Sequence, residues 1–220
     1  MLIIIPAHNE AKTVAGVVRQ CLEYGDVLVI DDGSQDDTTK EALAAGAYVI
    51  MHQKNKGYGE ALQTGYRYAL DHRKDEIIVQ LDADGQHNPK YIPALARALE
   101  GADMVLGSRF IDGPGYKIPF CRRVGMMLFS FIASWMCGTR MTDTTSGYRA
   151  INRKALAFCA SKEYPRDYPD ANALVMMHRA GLRLREIPVK MRASLKGTSM
   201  HSGAKPVYYV FKVLFDLGRG

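Results

Sequence analysis

The first half of this chain alternates between short apolar runs and longer segments with helical periodicity, which restricts the folds it can adopt. The apolar runs are Leu2–Ile5, Val27–Ile30, Ala47–Met51, Ile77–Leu81 and Met104–Leu106. The helical patterns lie near residues 10–23, 36–45, 57–71 and 89–99. This β-α-β-α order predicts an α/β fold, in which a mainly parallel sheet carries helices on both faces.

The run Ile77–Leu81 leads directly into a polar cluster that contains Asp82, Asp84, Gln86 and His87. Burying unpaired carboxylates in an apolar core is too costly, so this strand must end at a surface. Alternation in an extended segment would place Asp82 and Asp84 on the same side. Carboxylate and amide oxygens are hard ligands that suit Mg²⁺ or Mn²⁺ better than zinc. The alternative interpretation is a turn that opens the next helix.

Two other predicted strands also end in polar residues. The first runs into Pro6–Glu10 and the second into Asp31–Ser34. Because ligands bind beyond the carboxyl ends of parallel strands, three such ends together predict a binding site. Capping of the next helix is the alternative role for Asp31, Asp32 and Ser34, and we expect it to explain one of these three residues. The loop Lys56–Gly59 precedes a helix, so we expect its glycines to allow close approach and its amides to face a phosphate.

Residues 124–139 carry no charged side chain and follow Lys117, Arg122 and Arg123. The segment is shorter than the roughly 20 apolar residues that span a bilayer. It is therefore either a buried core helix or an interfacial helix that lies on a membrane with cations at the phosphate level. The segment 207–215 has the same aromatic, apolar and basic character.

The basic residues of the chain are unevenly distributed. The formal net charge is +6, and residues 181–220 hold eight Lys and Arg residues against two acidic ones. Such a basic end suits nucleic acid, an anionic membrane or a phosphorylated ligand, and it is equally consistent with a solvated face. Because the four cysteines are widely spaced and no secretory signal precedes the first strand, we expect a cytoplasmic protein with reduced thiols.

Six short motifs follow one another in the chain, and together they are more specific than any one of them. They are Ile5–Glu10, Val29–Ser34, Asn55–Leu62, Asp82–His87, Gly107–Arg109 and Asp143–Arg149. In this order they resemble the family 2 glycosyltransferases, which have the Rossmann-like GT-A fold. The resemblance is strongest to the polyprenyl-phosphate branch, which includes the dolichyl-phosphate mannose and glucose synthases.

The resemblance implies a single merged domain with a nucleotide-sugar-binding half (1–110) and an acceptor-binding half (111–220) that carries amphipathic or interfacial helices. It also implies a UDP- or GDP-sugar donor and inversion at the transferred sugar carbon. The residues expected to bind the donor are Pro6, His8, Glu10, Asp32, Lys56, Gly57 and Asp82.

Asp82, Asp84 and Gln86 resemble the divalent-metal site of the family, so Mg²⁺ or Mn²⁺ is the expected cofactor. A metal bound to both phosphates would act as a Lewis acid on the departing diphosphate. The expected catalytic residues are Asp143, Arg109 and Arg149, and the sequence leaves open whether Asp143 orients an arginine or acts as a base.

The nature of the acceptor decides whether a base is needed. A hydroxyl acceptor must lose a proton, whereas a polyprenyl monophosphate is already anionic and needs cations to hold it. We expect Arg122, Arg123 and Ser146 to bind the acceptor phosphate beside the uncharged segment. The predicted protein is thus a peripheral enzyme at the cytoplasmic face of a membrane, in contact with the lipid surface or an integral membrane partner.

Three other functions are weaker interpretations. A family 2 enzyme could instead glycosylate a hydroxyl of a glycan or cell-wall polymer. A sugar nucleotidyltransferase would usually carry a Gly-rich loop with Arg and Lys after its first strand, which Pro6–Glu10 does not resemble. In a non-catalytic module the predicted metal-binding residues would have no function. No nucleic-acid partner is expected.

Overall fold

The computed structural model describes residues 1–113, 120–165 and 169–192, with the backbone alone at 120–126, 128 and 129. Within these ranges the chain forms a seven-stranded sheet between two layers of helices, which confirms the predicted α/β class. The strands are β1 (Leu2–Ala7), β2 (Asp26–Asp31), β3 (Tyr48–Met51), β4 (Ile77–Gln80), β5 (Met104–Ser108), β6 (Arg149–Asn152) and β7 (Leu184–Pro188). The helices are α1 (Val14–Cys21), α2 (Thr38–Ala44), α3 (Tyr58–His72), α4 (Ile92–Ala98), α5 (Phe120–Cys137), α6 (Arg153–Ala160) and α7 (Ala171–Arg179).

The strand order in the sheet is β3-β2-β1-β4-β6-β5-β7. All neighbouring strands are parallel except at β6, which runs antiparallel to both β4 and β5. The sequence pattern predicts β1 to β5 but neither β6 nor β7. Because β6 comes from the second half of the chain and lies between β4 and β5, both halves contribute to one sheet.

Side-chain alternation divides the strand residues between the two faces of the sheet. On β1, Ile3 and Ile5 pack against α1, α2 and α4, whereas Leu2 and Ile4 pack against α3, α6 and α7. Gly65 lets α3 approach β1 closely, since a Cβ at that position would lie 2.6 Å from Ile4 Cγ2. Helix α3 is therefore held tightly over the centre of the sheet.

Helix α5 contains most of the uncharged segment, and its described side chains divide between two environments. Ala133 and Cys137 are buried in a small cluster with α7. Met127, Phe131 and Trp135 are spaced one helical turn apart and are 62%, 71% and 80% exposed. The core-helix and surface-helix interpretations thus each describe one side of α5.

Several sequence-based predictions concern parts of the chain outside the described residues. They involve Lys117, the segment 207–215 and the side chains of Arg122 and Arg123. In the part of the chain that is described, none of the helices has the length and apolarity that crossing a membrane requires.

Candidate active site

The sheet topology brings the predicted motifs to one edge. Strands β2, β1 and β4 are parallel neighbours, so the polar residues that follow each of them meet at their carboxyl ends. Strand β6 is antiparallel, and its first residue, Arg149, pairs with Gln80 and Leu106 at that same edge. The motif Asp143–Arg149 therefore reaches the site from the opposite chain direction, beside Gly107–Arg109.

Asp32, one of the residues expected to bind the donor, is 3% exposed. Its Oδ1 accepts hydrogen bonds from the Lys56 amide at 2.9 Å and from His52 Nδ1 at 2.7 Å. Its Oδ2 accepts from the Gly57 amide at 2.8 Å. These two amides hold Asp32, and the predicted contact of the Lys56–Gly59 loop with a phosphate stays a prediction. Gly57 has a φ of 99°, a left-handed conformation that favours glycine.

The neighbouring aspartate has a structural role. Asp31 is buried, and its Oδ1 accepts the Ser34 amide at 2.9 Å while its Oδ2 accepts the Thr39 hydroxyl. These bonds tie the end of β2 to the start of α2. The N-cap residue of α2 is Asp37, so these bonds do not confirm the expectation that capping explains one residue of the motif.

The end of β1 supplies the other predicted donor residues. Pro6 is buried within the strand, and His8 is exposed just beyond it. His8 Nδ1 donates to the main-chain oxygen of Asp32 at 2.9 Å, so the ends of β1 and β2 are joined through this ring. The Glu10 carboxylate accepts the Thr13 hydroxyl at 2.9 Å and is half-buried.

The chain turns sooner after β4 than the alternation pattern predicts. The strand ends at Gln80, residues 83–84 form a turn, and Gly85 has a φ of 77°. The Asp82 amide donates to His87 Nδ1 at 3.0 Å, and the Gln86 amide donates to Asp84 Oδ1 at 2.9 Å. A folded loop, rather than a continued strand, therefore presents the two carboxylates.

The electrostatics of this loop favour a bound cation. Burial raises the pKa of Asp82, and burial together with the charge of Asp82 raises the pKa of Asp84. Burial lowers the pKa of His87 to about 4, so this ring is neutral and stacks on Tyr148 with centroids 5.0 Å apart. Two carboxylates that disfavour each other's charge are stabilised by a divalent ion between them.

The donor set of the loop fits magnesium or manganese. Among the described side chains, no three His, Cys, Asp or Glu residues form a metal-binding group. Mg²⁺ is commonly held by one or two carboxylates and completes its coordination with water and substrate phosphates. Asp82 and Asp84 supply that number of carboxylates, and Gln86 belongs to the same loop.

Arg109 and Asp143 form a buried ion pair. Arg109 Nε donates to Asp143 Oδ2 at 2.7 Å, and Nη2 donates to Oδ1 at 2.6 Å. The Arg109 amide adds a third bond to Oδ2 at 3.0 Å. Since both carboxylate oxygens face one guanidinium, this contact favours the first of the two roles open to Asp143, the orientation of an arginine.

Glu186 supports this pair from β7, and the sequence analysis missed it. Its Oε1 accepts the Asp143 amide and its Oε2 accepts the Thr142 amide, each at 2.8 Å. Burial raises the pKa of Glu186, and these hydrogen bonds oppose that rise. Its motif neighbours are more than forty residues away in sequence, so no local pattern marks it.

The remaining acceptor-side predictions concern Ser146, Arg149, Arg122 and Arg123. Ser146 is 1% exposed and its hydroxyl donates to the Gly107 carbonyl at 2.7 Å, and its contact with an acceptor stays a prediction. Arg149 is buried, and its Nε donates to the Ser146 carbonyl at 2.9 Å. Within the described residues, no carboxylate lies within salt-bridge distance of Arg149. Arg122 and Arg123 stay predictions, because their side chains are not described.

Comparisons with known proteins identify the family to which the chain belongs. The family described as "Glycosyl transferase family 2" matches residues 2–158. A UDP-N-acetylglucosamine–dolichyl-phosphate N-acetylglucosaminyltransferase of Methanococcus voltae is 31% identical, covering 94% of this chain and 92% of its own. An undecaprenyl-phosphate mannosyltransferase of Micrococcus luteus is 32% identical, covering 92% of this chain and 88% of its own.

Solved structures show the same fold. Glucosyl-3-phosphoglycerate synthase from Mycobacterium tuberculosis, solved with Mn²⁺, UDP and glucosyl-3-phosphoglycerate, superimposes with a TM-score of 0.76 at 22% identity. The match covers 99% of this chain and 79% of that one. At this identity the similarity shows that the fold is shared.

Proposed function

The chain belongs to glycosyl transferase family 2, and from this premise we propose that it transfers one sugar from a UDP- or GDP-sugar to a polyprenyl phosphate. The Arg109–Asp143 ion pair is the observation that supports a phosphate as the acceptor. A carboxylate that binds a guanidinium through both oxygens is a poor proton acceptor, whereas a phosphate acceptor needs no base. The names of the relatives, which act on dolichyl phosphate and undecaprenyl phosphate, support the same acceptor class.

The mechanism follows from the placement of the charged groups. Asp32, held by the Lys56 and Gly57 amides, would accept an N–H of the nucleobase, and Asp82 and Asp84 are the residues that would hold Mg²⁺ or Mn²⁺. When bound, the metal supplies Lewis-acid stabilisation for the charge of the departing diphosphate. A phosphate oxygen of the acceptor attacks the sugar carbon from the face opposite the diphosphate, the carbon–diphosphate bond breaks, and the configuration inverts.

The positive charge of Arg109 and Arg149 lies on the acceptor side of this arrangement. Arg109 is 7% exposed and is fixed by Asp143, so its orientation is set before the acceptor arrives. Arg149 is buried near Asp82 and contributes a charge that lowers the pKa of that carboxyl, against the larger effect of burial. Fixed cations of this kind stabilise a phosphate nucleophile with little reorganisation.

The exposed side of α5 suits contact with a membrane. Met127, Phe131 and Trp135 are here called the α5 ridge. Phe131 and Trp135 border a hollow of about 450 Å³ that Arg140 also lines. No acidic residue occurs between positions 113 and 142, so the segment matches an anionic phospholipid surface in charge as well as in apolarity. We place the enzyme with this ridge against the cytoplasmic face of a membrane.

A double substitution tests the ridge. Phe131→Ser with Trp135→Ser is expected to weaken binding to phosphatidylglycerol-containing vesicles by at least tenfold, because each apolar side chain contributes about 1.5 kcal/mol or more when buried. Vesicle sedimentation measures this affinity. The matched control is Tyr48→Ser with Met51→Ser on the edge strand β3, where the side chains are 57% and 62% exposed. Equal vesicle binding by both double variants would contradict the membrane placement and favour contact with an integral membrane protein.

Incubation of membranes with the protein and a panel of radiolabelled UDP- and GDP-sugars tests the proposed reaction. We expect label from one donor in the lipid that organic solvent extracts, released again by mild acid. The Asp84→Asn protein is the control, since it removes one proposed metal ligand. Label in polymer instead of lipid would show a hydroxyl acceptor and refute the polyprenyl-phosphate assignment.

A further inference from the structure

A tyrosine outside the predicted site contacts the first carboxylate of the metal loop. We propose that Tyr58, the first residue of α3, is a positioning residue that fixes the orientation of the Asp82 carboxylate for the metal-bound donor. This inference rests on the proposed function of Asp82. It adds a residue for which neither the motifs nor the relatives supply a role.

The hydrogen bonds around Tyr58 have a defined direction. Gln80 Nε2 donates to the Tyr58 hydroxyl at 3.0 Å, and the Tyr58 hydroxyl donates to Asp82 Oδ1 at 2.9 Å. The hydroxyl of Tyr66 donates to Gln80 Oε1, which fixes the orientation of that amide. Since a phenol has one proton and the amide can only donate through its nitrogen, the Tyr58 proton is directed at Asp82.

The chain of bonds is rigid because it is buried and anchored in regular structure. Tyr66 is completely buried and Gln80 is 2% exposed. Tyr58 and Tyr66 lie on the same helix, two turns apart, and Gln80 is the last residue of β4. These hydrogen bonds therefore fix the Asp82 carboxylate relative to α3 and the sheet, and not only relative to its own loop.

Gly147 closes the other side of the Asp82 carboxylate. A Cβ at this position would lie 2.8 Å from the Tyr58 hydroxyl and 3.0 and 3.1 Å from the two carboxylate oxygens of Asp82. Any larger residue at position 147 would therefore have to displace the Tyr58 hydroxyl or the Asp82 carboxylate. The acceptor-side motif, which contains Gly147, and the metal loop thus meet at the Tyr58–Asp82 contact.

Loss of the hydroxyl is expected to weaken metal binding without removing a ligand. In Tyr58→Phe the Asp82 carboxylate loses its donor and Gln80 Nε2 loses its acceptor. Residues that orient metal ligands through hydrogen bonds commonly contribute about 10-fold to 100-fold in metal affinity. We expect the Mn²⁺ dissociation constant to increase by that factor. The Mn²⁺ concentration for half-maximal turnover should increase by a larger factor than the factor by which kcat falls.

The experiment measures Mn²⁺ binding by electron paramagnetic resonance in the presence of UDP or GDP, together with thermal unfolding. The matched control is Tyr68→Phe on the same helix, because the Tyr68 ring contacts His72 at 5.1 Å between centroids. That variant should bind Mn²⁺ like the wild type. Gln80→Met removes the donor that orients Tyr58 and should weaken Mn²⁺ several-fold, which decides the question if Tyr58→Phe fails to fold.

A double-mutant cycle separates positioning from general structural damage. Tyr58→Phe should have no further effect on Mn²⁺ affinity when Asp82 is already alanine, because its contribution passes through that carboxylate. An undiminished effect in the Asp82→Ala background, or a wild-type Mn²⁺ affinity in folded Tyr58→Phe, would overturn the inference. A wild-type protein that binds no Mn²⁺ with either nucleotide would instead refute the metal site itself.

Discussion

Asp84→Asn is expected to lower kcat by about a thousandfold while the protein remains folded. A metal that neutralises a departing diphosphate contributes several kcal/mol, and loss of one fixed electrostatic group at such a site costs about 3–4 kcal/mol. Asparagine keeps the shape of the side chain and an oxygen that can accept a hydrogen bond from the Gln86 amide. In the wild type this amide lies 2.9 Å from Asp84 Oδ1. The loop therefore keeps its hydrogen bond and loses only the charge.

The same substitution should leave stability intact. Burial and the charge of Asp82 raise the pKa of Asp84, so the folded metal-free protein gains nothing from ionising this carboxyl. We expect the free energy of unfolding of Asp84→Asn to equal or exceed that of the wild type in the absence of metal, as found at sites where function opposes stability. Urea unfolding with and without Mn²⁺ and UDP measures both effects. Full turnover by the variant would refute the metal assignment.

The part of the fold that the sequence predicts is the part with local periodicity. Strands β1 to β5 and helices α1 to α4 have apolar patterns that require no knowledge of distant residues. Strand β6 is four residues long, begins with Arg149 and ends with Asn152, so it lacks a strand-like composition. Its place between β4 and β5 is decided by partners more than forty residues away in sequence.

The site residues that could be predicted from the sequence are those that belong to a recognisable motif. The strand-end carboxylates Asp32, Asp82 and Asp84 are of this kind. Three residues to which the sequence motifs assign no role each contact a motif residue at least 20 positions away. They are His52, Tyr58 and Glu186. Their contribution depends on hydrogen bonds that only the folded chain forms. The hydrogen bonds that the Lys56 amide and the Ser146 hydroxyl donate to the protein itself were unpredictable for the same reason.

Asp143→Asn is expected to destabilise the protein by about 3 kcal/mol or more, because it leaves the Arg109 guanidinium buried without its counter-charge. The side chains of Asp143 and Arg109 are 0% and 8% exposed. The matched control is Asp37→Asn, whose partner Lys40 lies 4.0 Å away and whose side chain is 69% exposed. That pair should contribute less than about 1 kcal/mol. Urea unfolding of both variants measures the difference.

Turnover in an Arg109→Lys variant distinguishes the two roles that the sequence leaves open for Asp143. Lysine keeps the positive charge but loses the planar fork that binds both carboxylate oxygens. If Asp143 acts by orienting Arg109, then Arg109→Lys and Asp143→Asn should each lower kcat/KM for the lipid acceptor, and the double variant should lose little more than either alone. If Asp143 were the base, the two losses would instead be additive, and Arg109→Lys would retain most of its turnover. Non-additive losses would thus show that the pair acts as one unit, which places the guanidinium, rather than a proton acceptor, at the acceptor phosphate.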